Sequence, residues 1–222
     1  MIDILYWNTD TQEGFMTDDE TYKGLLAVPN AKLILPNLEA LTNHARGKKI
    51  KIVHTGDLHT WDDAEISKEP DMINTFGMHC ERYTKGAHFV KEVRPVDPYV
   101  VDFQDAAMNP TKLKEANEIV LYKNHFDIFQ GNPYTNMVVD TFLKPQKVVG
   151  YGVATNVCVD YNIMGQFERA QKRGAEVYAV TDAIMGLPHL DGTPFATDKV
   201  LKKWEDAGVK LVTTKDVLEG RL

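Results

Sequence analysis

Cys158 stands in Gly152-Val-Ala-Thr-Asn-Val-Cys-Val159, directly behind the apolar, β-branched run Lys147–Tyr151. That run reads as a buried strand. Gly150 and Gly152 permit a tight exit from it. Asn156 suits a helix N-cap, and Val159, Ile163, Phe167 and Ala170 follow at helical spacing. The cysteine is therefore expected in the first turn of a helix that starts where a strand ends. Unpartnered backbone N–H groups and the helix dipole there favour a thiolate. Two readings fit Cys158: a nucleophile, or a small buried apolar side chain, the common fate of a free cysteine.

Three other strand-like runs also end in side chains with chemistry. Asp10 follows the run Ile2–Asn8, Asp57 and His59 follow Ile50–His54, and Lys123 follows Glu118–Tyr122. Any one of them alone is an ordinary surface charge on a loop. Together they fit one scheme. A nucleophilic thiol needs a base or cation beside it, and an amide needs a proton delivered to its leaving nitrogen. Asp10 could take the thiol proton and pass it on, while Lys123 holds both anions in place. Backbone N–H groups around Cys158 could receive the tetrahedral oxyanion. Gly-x-Ser-x-Gly is absent, so no serine triad of that type competes.

A second constellation lies in Asp57-x-His59 and in Phe76-Gly-Met-His-Cys80. Asp57, His59 and His79 supply mixed oxygen and nitrogen ligands that suit zinc, iron or manganese and leave positions open. Zinc is the first expectation. Glu65 and Glu69 are candidates for an extra ligand, although solvated loop carboxylates are the plainer reading of both.

These residues need a scaffold that brings four strand ends together. A helix is expected from about Pro29 to His44, with Leu33, Leu38 and Leu41 inward and Gly47 past its end. Short helices are expected at Tyr134–Phe142 and near Asp198–Asp206, and strands at Ala175–Val180 and Val209–Thr213. The alternation implies right-handed βαβ crossovers. The expected fold is α/β: one domain over residues 1–222, with a doubly wound, mostly parallel six-stranded sheet and helices on both faces. Ligands bind such sheets outside the carboxyl ends of the strands. Residues 62–110 are polar, contain proline and exceed an ordinary connection, which marks an irregular excursion.

Composition narrows the partners. The 222 residues carry 25 Lys and Arg against 32 Asp and Glu, a formal net charge of −7. That balance disfavours nucleic acid or an anionic membrane as the principal partner. Nothing resembles a signal peptide or a bilayer-spanning run. Two widely separated cysteines form no disulfide framework. A cytoplasmic protein acting on a small molecule, as a homo-oligomer, is the expectation.

At this point the chain resembles the isochorismatase-like cysteine hydrolase superfamily, and within it the nicotinamidase branch. Asp10-Thr-Gln-Glu-Gly-Phe15 is similar to that family's first motif, Gly152–Val159 to its nucleophile motif, and Lys123 stands in order between them. The similarity spans about residues 2–187 and is weakest in the excursion. It implies an Asp10, Lys123, Cys158 triad. It also implies a non-proline cis peptide between Val153 and Ala154 that aims the Ala154 and Cys158 N–H groups at the oxyanion. Asp57, His59 and His79 resemble the metal site of the nicotinamidases, with Glu65 near a further ligand position. In that branch the pyridine nitrogen meets the metal and the ring stacks between two aromatics. These would be Phe15 and Phe76 here, with Thr155 in the substrate site. Two stretches depart from the pattern: Phe126-Asp-Ile-Phe129 after the lysine, and Phe76-Gly-Met78 ahead of the metal histidine.

The resemblance implies hydrolysis of nicotinamide to nicotinate and ammonia through a Cys158 thioester, with a place in NAD salvage. Two alternatives stand beside it. One is another amidase of the superfamily, acting on a carbamoyl, ureido or maleamate-type amide. The other is a silent binding protein on the same fold. Asp182 is expected to be a structural cap and Cys80 to pack. His54, His88, His125 and His189 match no motif position, and Trp204 is assigned to the core or a subunit contact.

Overall fold

Nine strands and eight α-helices are found in a computed structural model that describes residues 1–188 and 197–222. In chain order they are β1 (Ile4–Thr9), α1 (Glu13–Met16), β2 (Asp18–Asp19), β3 (Tyr22–Lys23), α2 (Leu35–Lys48), β4 (Lys51–Asp57), β5 (Tyr99–Val101), α3 (Pro110–Glu115), β6 (Glu118–Lys123), α4 (Ile128–Gly131), α5 (Thr135–Met137), β7 (Lys147–Val153), α6 (Asp160–Gln171), β8 (Glu176–Met185), α7 (Thr197–Ala207), β9 (Lys210–Val212) and α8 (Thr214–Leu218). Seven strands form one parallel sheet in the order β5-β6-β4-β1-β7-β8-β9, and β2 pairs with β3 as a small antiparallel ribbon.

The sheet has one strand more than the six expected. The addition is β5, three residues inside the excursion, paired to β6 through Tyr99–Ile119 and Val101–Leu121. So short an edge strand leaves no periodicity to read in the sequence. The central strands are apolar on both faces. Leu5, Tyr6, Trp7, Ile52, Val53, Val148, Val149 and Tyr151 are all buried, as a parallel sheet covered by helices requires.

Helix α2 buries Leu38, Leu41, Thr42 and Ala45, one stripe at helical spacing. It differs from expectation at both ends. A 3₁₀ turn over Ala31–Ile34 precedes it and leaves Leu33 73% exposed. Gly47 lies inside the helix, and Lys49 takes the left-handed cap at φ +56°. The expected Tyr134–Phe142 helix is instead α5 followed by a π turn over Val138–Leu143. Strand β8 runs on to Met185, past the expected Val180, because its register with β7 jumps from Gly150–Ala179 to Gly152–Ile184. Asp182, in that irregular stretch, accepts from the Thr214 N–H and hydroxyl at 2.7 and 2.8 Å and caps α8. His189 lies outside the described residues.

The chain begins the sheet at its centre with β1, adds β4 beside it, places β5 at the edge, fills the gap between them with β6, then returns to β1's other side with β7. The reversal of strand order at β1 opens a crevice at the carboxyl ends of β1, β4 and β7. Gly152 lets β7 run close to β1 there. Its φ is +120°, and a Cβ would fall 2.1 Å from the Thr9 carbonyl oxygen, so only glycine fits.

Candidate active site

Asp10, immediately after β1, adopts a left-handed φ of +50°, which aspartate tolerates better than most residues. Its N–H donates to the Thr55 carbonyl at 3.1 Å, and its Oδ1 accepts from the Thr55 hydroxyl at 2.7 Å. Both bonds come from β4, so the neighbouring strand fixes the carboxylate's direction. Lys123, the last residue of β6, is buried and reaches the ends of both β4 and β1. Its Nζ is 3.0 Å from Asp10 Oδ2, donates to Asp57 Oδ1, and lies 3.7 Å from Cys158 Sγ. Asp10, Asp57 and Cys158 each present an atom within 4.8 Å of the others. The four expected strand ends thus converge on one buried cluster.

Cys158 is placed differently from expectation. Thr155–Val159 forms a π turn, with Val159 N–H bonding five residues back to Ala154 at 3.1 Å, and α6 starts only at Asp160. Asn156 caps nothing. Its amide nitrogen donates to the Leu187 carbonyl at 3.0 Å and its oxygen accepts from the Leu187 N–H at 2.8 Å. The peptide between Val153 and Ala154 is cis.

The charge balance follows from burial. Burial pushes the Cys158 thiol well above its usual range. Lys123 pulls it down, while Asp10 and Asp57 add to the rise. The resting group is therefore a thiol, not the dipole-stabilised thiolate expected for an exposed helix start. Burial also raises Asp10, against the pull of Lys123, and makes it the more basic carboxylate. Asp57 is driven up by burial too, but Lys123, His59 and His79 overcome this and hold it well below the carboxylate range. Lys123 stays an ammonium, because Asp10 and Asp57 outweigh its desolvation.

Asp57, His59 and His79 form the second cluster, all buried, with one donor atom from each within 4.8 Å of the others. The His59 and His79 rings are 4.5 Å apart. His79 Nδ1 is 2.8 Å from the Gly77 carbonyl, which only accepts, so Nδ1 carries the proton. The Nε2 lone pair then faces Asp57 Oδ2 at 3.5 Å. Both nitrogens of His59 are buried without a hydrogen-bond partner, Nδ1 being 3.4 Å from Asp63 Oδ2. Two acceptors turned toward one point, beside an orphaned imidazole, fit a divalent ion. Glu65 lines the same cavity but falls outside that cluster of three. Its buried Oε2 has no partner, and burial, with Asp57 second, pushes the carboxyl up to about 7. Glu69 is exposed on its loop.

Phe15, Phe76, Val153 and Ala154 line a cavity of about 20 Å³ over Cys158, Asp57 and His79. Phe15 and Phe76 pack against the His79 ring at centroid distances of 5.3 and 6.2 Å. Thr155, expected in the substrate site, is fully buried and does not line this cavity. Leu26, Val28, Phe126, Val157 and Leu187 do; Phe126 lies in a stretch that departs from the family pattern, whereas the other four read in sequence as ordinary core. Gln12 is a further residue that shapes the site. Its amide donates to the Asp57 and Ala87 carbonyls at 2.8 and 2.9 Å and accepts from the Asp57 N–H at 2.7 Å, clamping the backbone of Asp57 to the loop after Asp10. Its place inside the Asp10–Phe15 motif was the available clue.

A family model for the isochorismatase domain matches residues 8–216, and the chain belongs to the isochorismatase family of hydrolases. No curated protein matches the sequence. Among solved structures, the pyrazinamidase of Pyrococcus horikoshii in complex with zinc is 22% identical, with a TM-score of 0.68 over 95% of this chain and 99% of that one. An isochorismatase family protein from Desulfovibrio vulgaris is 18% identical, with a TM-score of 0.73 over 99% and 98%. N-carbamoylsarcosine amidase from Thermoplasma acidophilum is 18% identical, with a TM-score of 0.67 over 96% and 97%. Among the described residues, no helix is long and apolar enough to cross a membrane.

Proposed function

We propose that the protein is a metal-containing cysteine amidase that hydrolyses an uncharged heteroaromatic carboxamide of the nicotinamide type. The observation that carries this is the adjacency of two sites: a thiol with its lysine and carboxylate, and an Asp-His-His cluster, joined through the one carboxylate of Asp57.

Cys158 Sγ attacks the amide carbonyl carbon while its proton passes to Asp10, whose raised basicity suits the transfer. The carbonyl oxygen becomes an oxyanion, received by the Ala154 and Cys158 N–H groups. Asp10 returns the proton to the nitrogen, ammonia departs, and a thioester remains on Cys158. Asp10 then takes a proton from water as its oxygen attacks the thioester. Cleavage of the C–S bond and return of the proton to sulfur release the acid. Lys123 remains charged throughout and holds the two carboxylates in register with the thiol.

Asp57, His59 and His79 would hold the ion, with zinc first and iron or manganese as the alternatives. Bound there, it supplies a Lewis-acid contact that anchors the ring nitrogen. Phe15 and Phe76 would flank the ring, and the walls over Cys158 must part to admit it, since the cavity of about 20 Å³ holds little more than a water. The runner-up substrates, carbamoyl, ureido and maleamate-type amides, commonly carry a carboxylate that a site meets with a cation. Among the described residues the cavity is lined by no Lys or Arg, which favours a neutral amide. Ammonia release from nicotinamide, pyrazinamide and a panel of acidic carbamoyl amides is the test. Turnover of acidic amides with none of nicotinamide would overturn the proposal.

A further inference from the structure

Beside the cavity over Cys158 lies a second and far larger one. The inner cavity measures about 20 Å³, little more than the space of a single water. The outer measures about 420 Å³, within the size of ordinary ligand sites. Five residues, Leu26, Phe76, Phe126, Val157 and Leu187, belong to both walls, so the two cavities adjoin across these side chains.

The outer wall is apolar and built. Met72, Ile73 and Tyr161 close it, with Ile73 67% exposed and Tyr161 44% exposed. Exposed apolar side chains of this size on a loop are normally random decoration. Here the loop is fixed. Asp71 Oδ1 accepts from the N–H groups of Ile73, Asn74 and Thr75 at 2.9, 2.8 and 2.8 Å, and Met72 N–H bonds the Thr75 carbonyl at 2.9 Å. Ser67 and Phe76 pair across its base. Met72 and Ile73 are therefore held out before any ligand arrives, and a pre-ordered wall loses little entropy on binding. Asn156, the polar amide in this wall, has both groups spent on Leu187. Among the described residues no charged side chain lines the vestibule.

We propose that this vestibule is the subsite for an uncharged aryl or branched alkyl extension carried on the ring of the carboxamide. The substrate class is then a hydrophobically extended heteroaromatic amide, not the bare single ring. The inference rests on the function proposed above for its placement of the ring between Phe15 and Phe76. Phe76 lines both cavities, so a substituent on a ring held against Phe76 is directed toward the vestibule.

The test separates the two claims. Calorimetry on the Cys158→Ala protein would compare nicotinamide with pyridine-3-carboxamides bearing phenyl at ring positions 4, 5 or 6. At least one phenyl amide is expected to bind tighter by about tenfold or more, the effect of burying a modest apolar area. Ile73→Asp and Tyr161→Ser, each added to that background, should remove the gain, and Ile73→Leu should keep it. Both residues are exposed enough that folding is not at stake. No phenyl amide binding tighter than nicotinamide, or a gain that survives both polar substitutions, overturns the subsite. Hydrolysis by the parent protein reads the other claim. A binding gain without turnover of any of these amides keeps the subsite and removes the nicotinamide-type reaction. Turnover of nicotinamide without a binding gain does the reverse.

Discussion

Lys123 donates to Oδ1 of Asp57, and Oδ2 of the same carboxylate lies 3.5 Å from His79 Nε2 and 3.8 Å from His59 Nε2. One side chain at the end of β4 therefore serves both clusters. Its position is set by backbone bonds from Gln12, so the loop after β1 governs the geometry of the lysine and of the histidines together.

Lys123→Met tests that coupling. The ammonium is the counter-charge to two buried carboxylates, Asp10 and Asp57. Removing it strands both, a loss of about 3–5 kcal/mol. For a chain of this length that corresponds to a fall in Tm of about 10 °C. Calorimetric melting should show it together with loss of activity. A variant that melts with the parent would mean that Asp10 and Asp57 are not both ionised in the folded protein.

Cys158→Ala should abolish ammonia release, by at least about 10⁴-fold, as removal of a nucleophile does. One small side chain is truncated and melting should barely move. Cys80 is also buried, but it does not line the cavity over Asp57 and His79 and so has no access to a substrate there. Cys80→Ala should keep most of the activity. Near-parental turnover by Cys158→Ala would exclude the thioester.

The protein should carry about one divalent transition ion per chain, measured by elemental analysis, because the donor set suits such ions. His79→Ala should lose it and raise KM more than it lowers kcat. Asp63 Oδ2 lies 3.4 Å from His59 Nδ1, the nearest carboxylate available to orient that ring once an ion takes the other nitrogen. Its replacement by Ala should weaken metal affinity by about 10–100-fold. Full activity in metal-free protein would dismiss the Asp57, His59, His79 site.

The four reactive strand ends were legible because each is local: an apolar run followed at once by Asp10, Asp57-x-His59, Lys123 or Cys158. Parallel topology then assembles them with no further information. What sequence could not supply was non-local. The π turn at Cys158 replaces an α-helical first turn, and Asn156, a good cap by composition, is taken by Leu187 from a different strand's end. Strand β5 and the vestibule both lie in or against the excursion, where tertiary contacts and not periodicity decide the backbone. Thr155 is in the right motif yet is buried and does not line the cavity.

Acid stability should depend on Glu118, at the start of β6. Its carboxylate accepts from Arg46 Nε at 2.7 Å and the Val96 N–H at 3.0 Å, and sits 3.3 Å from His54 Nε2. Burial raises it, but His54 and Arg46 outweigh that and bring it down to about 2. A depressed carboxylate stabilises the fold above its unfolded value, near 4.5, and the contribution disappears as pH falls toward 2. The linkage amounts to about 2–3 kcal/mol. Urea unfolding from pH 6 to pH 2.5 should show the difference between parent and Glu118→Gln shrinking across that window. A difference that stays constant with pH would assign Glu118 a purely steric part.

Substrate choice tests the link between the two clusters most directly. If the ring nitrogen is anchored at Asp57, His59 and His79, an amide with nitrogen meta to the carboxamide should be preferred over its carbocyclic counterpart. Benzamide has the same outline without that nitrogen. Sites built on a polar contact reject an analogue lacking it far more strongly than apolar pockets reject a missing methylene. Nicotinamide should therefore exceed benzamide in kcat/KM by at least about a hundredfold. Phe76 packs edge-on to the His79 ring at 6.2 Å, so its removal would disturb the ligand as well as the stacking. Phe76→Leu keeps the bulk against His79 and removes only the aromatic face. It should weaken both amides alike and leave their ratio nearly unchanged, which kcat/KM for the pair on each enzyme would measure. Equal rates on nicotinamide and benzamide would take the metal cluster out of substrate recognition, whatever ion it binds.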